Sequence, residues 1–365
     1  MMSHVTLFPH AGSPAVVDLL PAVAAHLGVP GFDRDEIGLP DAARYVVVLV
    51  DGLGWTLAQR AGRFAPYLAG LVGDAVRVAT PLPSTTAASL MSLWTGAWPG
   101  THGVVGFSFR AGGGLVGPLS LVEPLATVPS VLDRAALAGV AVSGVVPGEH
   151  VRSGLTRMGT RRAELVAAPA TGAARIAAIR AAARRGDSAL VYVYEPELDH
   201  AGHASGVAST GWSQALTMID AWLEELRAGL DADTCLIVTG DHGMLDSRNR
   251  LVIEDEPALH AGLDLIGGEA RFRHLYTAQP AAVAARWQER LGDAALVLPR
   301  AEAIAAGLFG PVDPQYADRL GDVVVVPLTD QVYLTRTFAG EFSLIGFHGA
   351  MTPDECWVPV LVDEG

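Results

Sequence analysis

The chain has 365 residues, 50% of them hydrophobic, and carries 39 acidic against 25 basic side chains, a formal net charge of −14. That balance argues against holding nucleic acid through a basic face, and no stable nucleic-acid partner is expected. Every basic residue is arginine, so a P-loop lysine, a protein-kinase lysine and a Schiff-base lysine are all excluded.

The opening "MMSHVTLFPHAGSP" has no basic stretch leading into a long apolar run, as a secretory signal would. No apolar run approaches the roughly 18 residues of a membrane span. Helical spacing is expected over 15–27, followed by a strand at 45–50, a helix at 86–94 and a strand at 139–146. A helix at 171–185 and a strand at 188–194 come next. Leu216, Ile219, Leu223, Leu226 and Leu230 then keep helical period through a helix at 211–229, before a strand at 234–239. Character changes over 248–345, where "EARFRHLYT", "AAVAARWQERLG" and "AALVLPRAEAIAAGLFG" read as strand, helix, strand and helix; further strands are expected at 322–327 and 356–362. The alternation predicts an α/β fold with a central, mostly parallel sheet flanked by helices. Residues 1–247 with 346–365 form its expected core, and 248–345 an inserted α+β subdomain. Cys235 and Cys356 both lie in strand-like runs and are expected as buried free thiols. With no disulfide framework, a cytoplasmic protein is expected.

Three of the expected strands run into aspartate. "VVVLVDGLGW" delivers Asp51, "ALVYVYEPELDHAGHASG" delivers Asp199 with His203 four residues on, and "CLIVTGDHGM" delivers Asp241 and His242. Ligands of an open α/β sheet collect at the carboxyl ends of its strands, so parallel strands would bring these five side chains to one edge. One aspartate after a strand is an ordinary turn or cap residue; three in this order, with histidines, are not. Three adjacent carboxylates repel unless a cation joins them. The imidazoles favour zinc, manganese or iron over calcium or magnesium, which prefer oxygen-only shells. Asp199 and His203, at i and i+4, can share one face of a helical turn.

A second feature is "LPSTTAASLMSLWTG", where Ser84, Thr85 and Thr86 stand in a row before a helical run. One hydroxyl suffices to cap a helix. Three leave open which of them caps and whether one reacts.

Together these segments resemble the alkaline phosphatase superfamily, and within it the nucleotide pyrophosphatase/phosphodiesterase branch. The resemblance rests on "VDGLG", on "PSTT" opening a helix that ends in Thr95–Gly96, and on Pro99 and His102–Gly103. It continues through Asp199, Gly202 and His203, then "DHGM" at 241–244, and closes on "GFHGAM" at His348. It runs from 45 to 362 in the family's order; nothing in the inserted segment matches.

The resemblance implies that Thr86 is the nucleophile, with Ser84 and Thr85 as turn and cap residues. It implies one divalent ion on Asp51, Thr86, Asp241 and His242, and another on Asp199, His203 and His348, most simply zinc, with manganese as an alternative. Two such ions against three carboxylates and an alkoxide sum to about zero formal charge, so an anionic diester can enter. Thr86 would attack phosphorus in line, and the resulting phosphothreonine would be hydrolysed by water. The implied partner is a small phosphodiester, nucleotide or phosphonate. Where the family has an asparagine three residues after the nucleophile, this chain has Ser89, a shorter donor. His102 is expected to be structural and His200 to point away from the ligands. His150, His260 and His274 have no spacing argument and are expected on the surface or in the subdomain.

Sulfatases need a cysteine or serine followed by arginine at the nucleophile position, which is absent here. Phosphoglycerate mutases of this superfamily use serine, with an insertion directly after it. A phosphonoacetate-type hydrolase, a phosphomonoesterase or phosphotransferase on the same site, and a non-catalytic metal-stabilised binding protein remain as alternatives.

Overall fold

A computed structural model of the chain describes residues 12–119, 128–168 and 172–365. Most of the N-terminal stretch read above, and the first residue of the helix expected at 171–185, lie outside the described residues. The central sheet begins with β1 (Arg44–Val50) and β2 (Val76–Ala79), and continues with β3 (Ala141–Val146), β4 (Glu164–Ala167), β5 (Ala189–Glu195) and β6 (Thr234–Thr239). Strand β1 pairs in parallel with both β5 and β6, and β3 lies parallel between β5 and β4. Consecutive parallel strands thus diverge to either side of β1, which creates a crevice at their carboxyl ends.

Valine-rich β1 is buried on both faces, and its period of two sorts the side chains. Tyr45, Val47 and Leu49 join a cluster with α1 (Val16–His26) and α2 (Thr86–Thr95). Val46, Val48 and Val50 join a second cluster with α3 (Ala173–Ala183) and α5 (Thr210–Gly229), two helices on the opposite face. Between β5 and α5 runs α4 (Glu197–Ser205). Nearly all of α2 is buried, from Ala87 to Thr95, so its small residues Ala87, Ala88 and Ser89 sit where bulk has no room. Both cysteines are buried free thiols. No helix among the described residues is long and apolar enough to cross a membrane.

Residues from the 248–345 stretch build a smaller antiparallel sheet from β7 (Leu265–Glu269), β8 (Phe272–Tyr276), β9 (Ala295–Pro299) and β10 (Val323–Pro327), in the order β7-β8-β10-β9. The strand expected at 322–327 therefore lies here. Helix α6 (Pro280–Leu291) covers one face through Val283, Trp287 and Leu291. The other face sends Phe272, Val324 and Val326 into the same apolar cluster as Leu90, Leu93 and Trp94 of α2. The last strand, β11 (Trp357–Asp363), returns to the central sheet antiparallel, between β6 and β2.

The carboxyl end of β5 is tied down by a buried ion pair. Arg175 of α3 donates to the Glu195 carboxylate and to the Tyr194 carbonyl, and both charged side chains are fully buried. The other Glu195 oxygen accepts the Glu197 N–H at 3.1 Å, fixing the first turn of α4. Arg175→Met is expected to cost about 3–5 kcal/mol of stability by leaving Glu195 buried without its partner. A urea titration would read this as a lower midpoint at unchanged slope.

Candidate active site

The strand ends meet as tight turns. The Asp51 N–H donates to the Glu195 carbonyl at 2.9 Å, and the Gly52 N–H donates to Asp241 Oδ1 at 3.1 Å. Gly52 holds φ +77, and a Cβ there would lie 3.3 Å from the backbone of Asp199, so glycine suits both the conformation and the approach. Asp199 and His203 sit one turn apart on α4. His348 lies between the smaller sheet and β11, and Ser84 pins it from the loop before α2. His348 Nδ1 donates to the Ser84 carbonyl at 2.9 Å, the Gly349 N–H donates to Ser84 Oγ at 3.2 Å, and Ser84 Oγ donates to the Ala350 carbonyl at 2.6 Å.

The three hydroxyls thus divide their work. Ser84 clamps the His348 loop. Thr85 takes the N-cap position by its backbone, yet its side chain makes no capping hydrogen bond, a departure from the expected cap; it neighbours the Glu269 carboxyl instead. Thr86 opens the helix, with Oγ1 3.2 Å from His242 Nε2.

Two groups of acids and imidazoles form around Thr86. Asp51, Asp241 and His242 offer ligand atoms within 4.8 Å of one another, as do Asp199, His203 and His348. His242 Nε2 is 3.3 Å from Asp51 Oδ1 and 3.5 Å from Asp241 Oδ2; His203 Nε2 is 3.4 Å from Asp199 Oδ1. The rings of His242 and His348 stack at 3.6 Å, which joins the groups.

Several observations fit cations in these positions. Asp51 Oδ1, Asp199 Oδ1 and Asp241 Oδ2, which face the histidines, are buried without a hydrogen-bond partner. The Nδ1 atoms of His242, His203 and His348 lie 3.0, 2.9 and 2.9 Å from the carbonyls of Gly243, Gly346 and Ser84. A carbonyl only accepts, so each Nδ1 carries the proton and each Nε2 turns a lone pair inward, as in metal-ligating histidines. His348 Nε2 and His203 Nε2 face each other at 3.2 Å, an arrangement of two acceptors that a shared cation relieves. Among the described residues no arginine pairs with any of the three aspartates.

Burial dominates the electrostatics. It pushes Asp199 up to about 8, and burial with the facing carboxylate raises Asp51. Burial also raises Asp241, takes His242 down to about 4 and holds His348 well below the usual imidazole range, where the neighbouring imidazoles add to it. Tyr194 on β5 donates to Asp51 Oδ2 and so orients the acid.

A cavity of about 140 Å³ opens beside Thr86. Thr86, Leu90 and Trp94, at i, i+4 and i+8 on α2, form one wall, and His150, Tyr192 and Tyr194 face it. His150, expected on the surface or in the subdomain, is a cavity residue packed edge-on against Tyr194 at 5.3 Å. It stands on a loop, where no periodicity marks it; Tyr192 and Tyr194 lie two residues apart on β5, buried on both faces, where alternation does not mark them either. Ser89 is buried with an unpartnered Oγ and is not a lining residue of this cavity. His102 is structural: its Nδ1 accepts the Val104 N–H at 3.1 Å, its Nε2 meets Ser92 Oγ at 3.0 Å, and burial holds it neutral. His200 is exposed at the cavity rim and belongs to neither ligand group. His260 is exposed, whereas His274 is buried in the smaller sheet, with Nε2 2.8 Å from the Val105 carbonyl.

Comparison with solved structures gives phosphonoacetate hydrolase from Sinorhizobium meliloti 1021 in complex with phosphonoformate, at a TM-score of 0.67 and 18% identity over 87% of this chain and 89% of that one. Murine ectonucleotide pyrophosphatase/phosphodiesterase 5 aligns at 0.66 and 17% over 87% of each chain. An inactive variant of that murine protein, with alanine in place of a threonine and in complex with AMP, aligns at 0.64 and 16% over 87% of each. At these identities the likeness establishes the fold, an α/β core around a seven-stranded, mostly parallel sheet. No curated protein sequence matches the chain. The family model described as type I phosphodiesterase / nucleotide pyrophosphatase matches residues 45–351, a span containing every candidate site residue, and the chain belongs to that family.

Proposed function

We propose that the chain hydrolyses phosphodiester or nucleotide pyrophosphate bonds with Thr86 as nucleophile and two divalent transition-metal ions, zinc or manganese, as cofactors. Phosphoester hydrolysis follows from the family. The observation that carries the finer reading is the Thr86 hydroxyl, 3.2 Å from the lone-pair nitrogen of His242 and among aspartate oxygens that lack any partner. The inactivity of the murine variant that lost a threonine agrees with it.

Asp51, Thr86, Asp241 and His242 would hold one ion and Asp199, His203 and His348 the other; bound there, such ions stabilise phosphoryl oxygens and acidify a coordinated hydroxyl. Tyr194 holds Asp51 in orientation from behind. The first turn of α2 has N–H groups without helical partners and the positive end of the helix dipole, which favour an anionic phosphoryl group beside Thr86. Thr86 Oγ1 attacks phosphorus, the bond to the leaving oxygen breaks, and Thr86 carries the phosphoryl group until water releases it.

A monoester brings a second negative charge that a site near neutrality must balance. Among the described residues no arginine lines the Thr86 cavity; Arg152 and Arg157, the nearest in sequence to His150, line a separate open groove. Diesters are therefore expected to exceed monoesters in kcat/KM. The test compares an aryl phosphodiester, its monoester and phosphonoacetate at identical metal loading. A clear preference for either of the last two would overturn the phosphodiesterase reading in favour of the corresponding alternative.

A further inference from the structure

One residue touches the loops of both cation groups. Glu355 and Arg271 are fully buried, and the guanidinium grips the carboxylate, Nε to Oε1 at 2.9 Å and Nη2 to Oε2 at 2.6 Å. Arg271 stands in the turn between β7 and β8, where its Nη1 also donates to the carbonyls of Thr329 and Gln331 at 2.6 and 2.7 Å. The same carboxylate reaches the His348 loop: the Ala350 N–H donates to Oε1 at 3.0 Å and the Thr352 hydroxyl donates to Oε2. The Glu355 main-chain carbonyl accepts the Gly243 N–H at 2.8 Å, and Gly243 is the residue whose own carbonyl fixes His242 Nδ1. Both loops come close at glycines. A Cβ on Gly243 would lie 2.0 Å from the Asp354 carbonyl oxygen, and one on Gly349 would lie 3.2 Å from Arg271 Cβ.

We propose that Glu355 is a positioning residue that sets the spacing of the two cation sites, and that Arg271 holds it there from the smaller sheet. The inference rests on the two-cation reading and goes beyond it. Through its side chain Glu355 holds the loop of His348, and through its main chain the loop of His242, and the two rings stack at 3.6 Å. Chemistry that clamps attacking and leaving oxygens between two ions depends on their spacing, so a small slip of either loop reaches the reaction. A buried ion pair is by itself weak evidence of a stabilising role, because apolar residues of similar volume often replace one without loss. What apolar residues cannot replace here is the acceptor for the Ala350 N–H. The consequence is asymmetric. Losing the carboxylate leaves Ser84 alone to hold the His348 loop and weakens the site of Asp199, His203 and His348. The Gly243 contact is made by backbone and keeps the site of Asp51, Asp241 and His242.

The experiment titrates metal-stripped full-length protein with cobalt, whose visible absorption reports each site, and needs no turnover. It compares the wild type with two paired variants. Arg271→Met with Glu355→Leu removes both charges and the acceptor; Arg271→Met with Glu355→Gln removes both charges but keeps an amide oxygen for Ala350. The wild type is expected to take up two ions. The Leu pair is expected to bind one ion as the wild type does and the other about 10–100-fold more weakly. Its spectrum at one ion should match that of His203→Ala, which lacks a ligand of the weakened site. The Gln pair is expected to bind both ions near wild-type affinity, a rescue that a merely structural ion pair would not show. Should the Leu pair not fold, Glu355→Asp takes its place, since it keeps a charge for Arg271 but falls a methylene short of Ala350; the same one-sided loss is expected. Unchanged affinity for both ions in the variant lacking the Ala350 contact would overturn the positioning role and leave the two-cation reading standing. Equal losses in the Leu and Gln pairs would overturn it in favour of the ion pair alone. A wild type that holds fewer than two ions would overturn the two-cation reading and the proposal with it.

Discussion

Thr86→Ala is expected to lower kcat/KM on the order of a thousandfold or more, as loss of a nucleophile does elsewhere, with little change in Tm. Its hydroxyl approaches His242 Nε2 at 3.2 Å and caps nothing, because Thr85 holds the N-cap position. Removing it therefore takes away the attacking atom and leaves the helix start intact. Thr85→Ala is the contrast. That side chain is buried beside Glu269 without a capping bond, so its loss is expected to keep kcat/KM within about tenfold of wild type, the cost of one neutral contact. Thr86→Ser retains a hydroxyl and is expected to recover part of the rate. Mass spectrometry of the quenched wild-type enzyme during turnover should find phosphate on the peptide containing Thr86, and the Thr86→Ala protein should show none. A dead Thr85→Ala beside an active Thr86→Ala would shift the nucleophile by one residue and dismantle the ligand set built around it.

The central sheet was legible because its strands are buried on both faces and therefore read as short, near-continuous valine and leucine runs. Asp51, Asp241 and His242 were legible because they follow such runs directly, and Asp199 with His203 because they lie on the turn of helix after one, the carboxyl ends of parallel strands sharing an edge; His348 was legible only through the family resemblance. Tyr194 follows the same logic in reverse. On a strand buried from Ala189 to Glu195, alternation carries no sign of which residues face a site, so the hydroxyl that reaches Asp51 is invisible until β1 and β5 are paired. Glu269 is hidden for another reason: its side chain fills the space a Cβ on Gly349, next to His348, would need, a proximity between residues eighty apart in sequence that no local pattern encodes. Ser84 was read as a turn residue, but its partners are Gly349 and Ala350. The sharing of one apolar cluster between the smaller sheet and α2 is likewise a long-range packing result, fixed by Phe272 and Val324 facing inward on paired strands.

Stripping the cations with a chelator is expected to lower activity by about a thousandfold, the worth of several kcal/mol of charge stabilisation at the transition state. It should also lower Tm, with a gap between loaded and stripped protein that widens from about pH 6.5 to 8. The sign follows from the buried groups. In the stripped protein Asp199 is pushed up to about 8, and Asp51 and Asp241 are raised as well. A carboxyl raised above its unfolded value contributes stability that is complete below about pH 4 and is lost as pH climbs through the folded value. His242, at about 4, and His348, also held well below the usual imidazole value, act oppositely: their stability is complete above about pH 6.5 and is lost on acidification. The two sets oppose each other below about pH 6.5, and above it the carboxyls alone act, so the stripped protein weakens toward pH 8. Cations hold the aspartates ionised and the histidines neutral, which removes both slopes. Other buried acids, such as Asp220 and Glu341, titrate alike in both forms and cancel in the difference. Elemental analysis of the loaded protein should find close to two zinc or manganese ions per chain, and melting curves at pH 6.5 and 8 with and without chelator should show the widening gap. A protein that keeps full activity and an unchanged Tm after stripping would remove the cations from the reaction, and with them the account of why three aspartates, each with an unpartnered oxygen, are buried together.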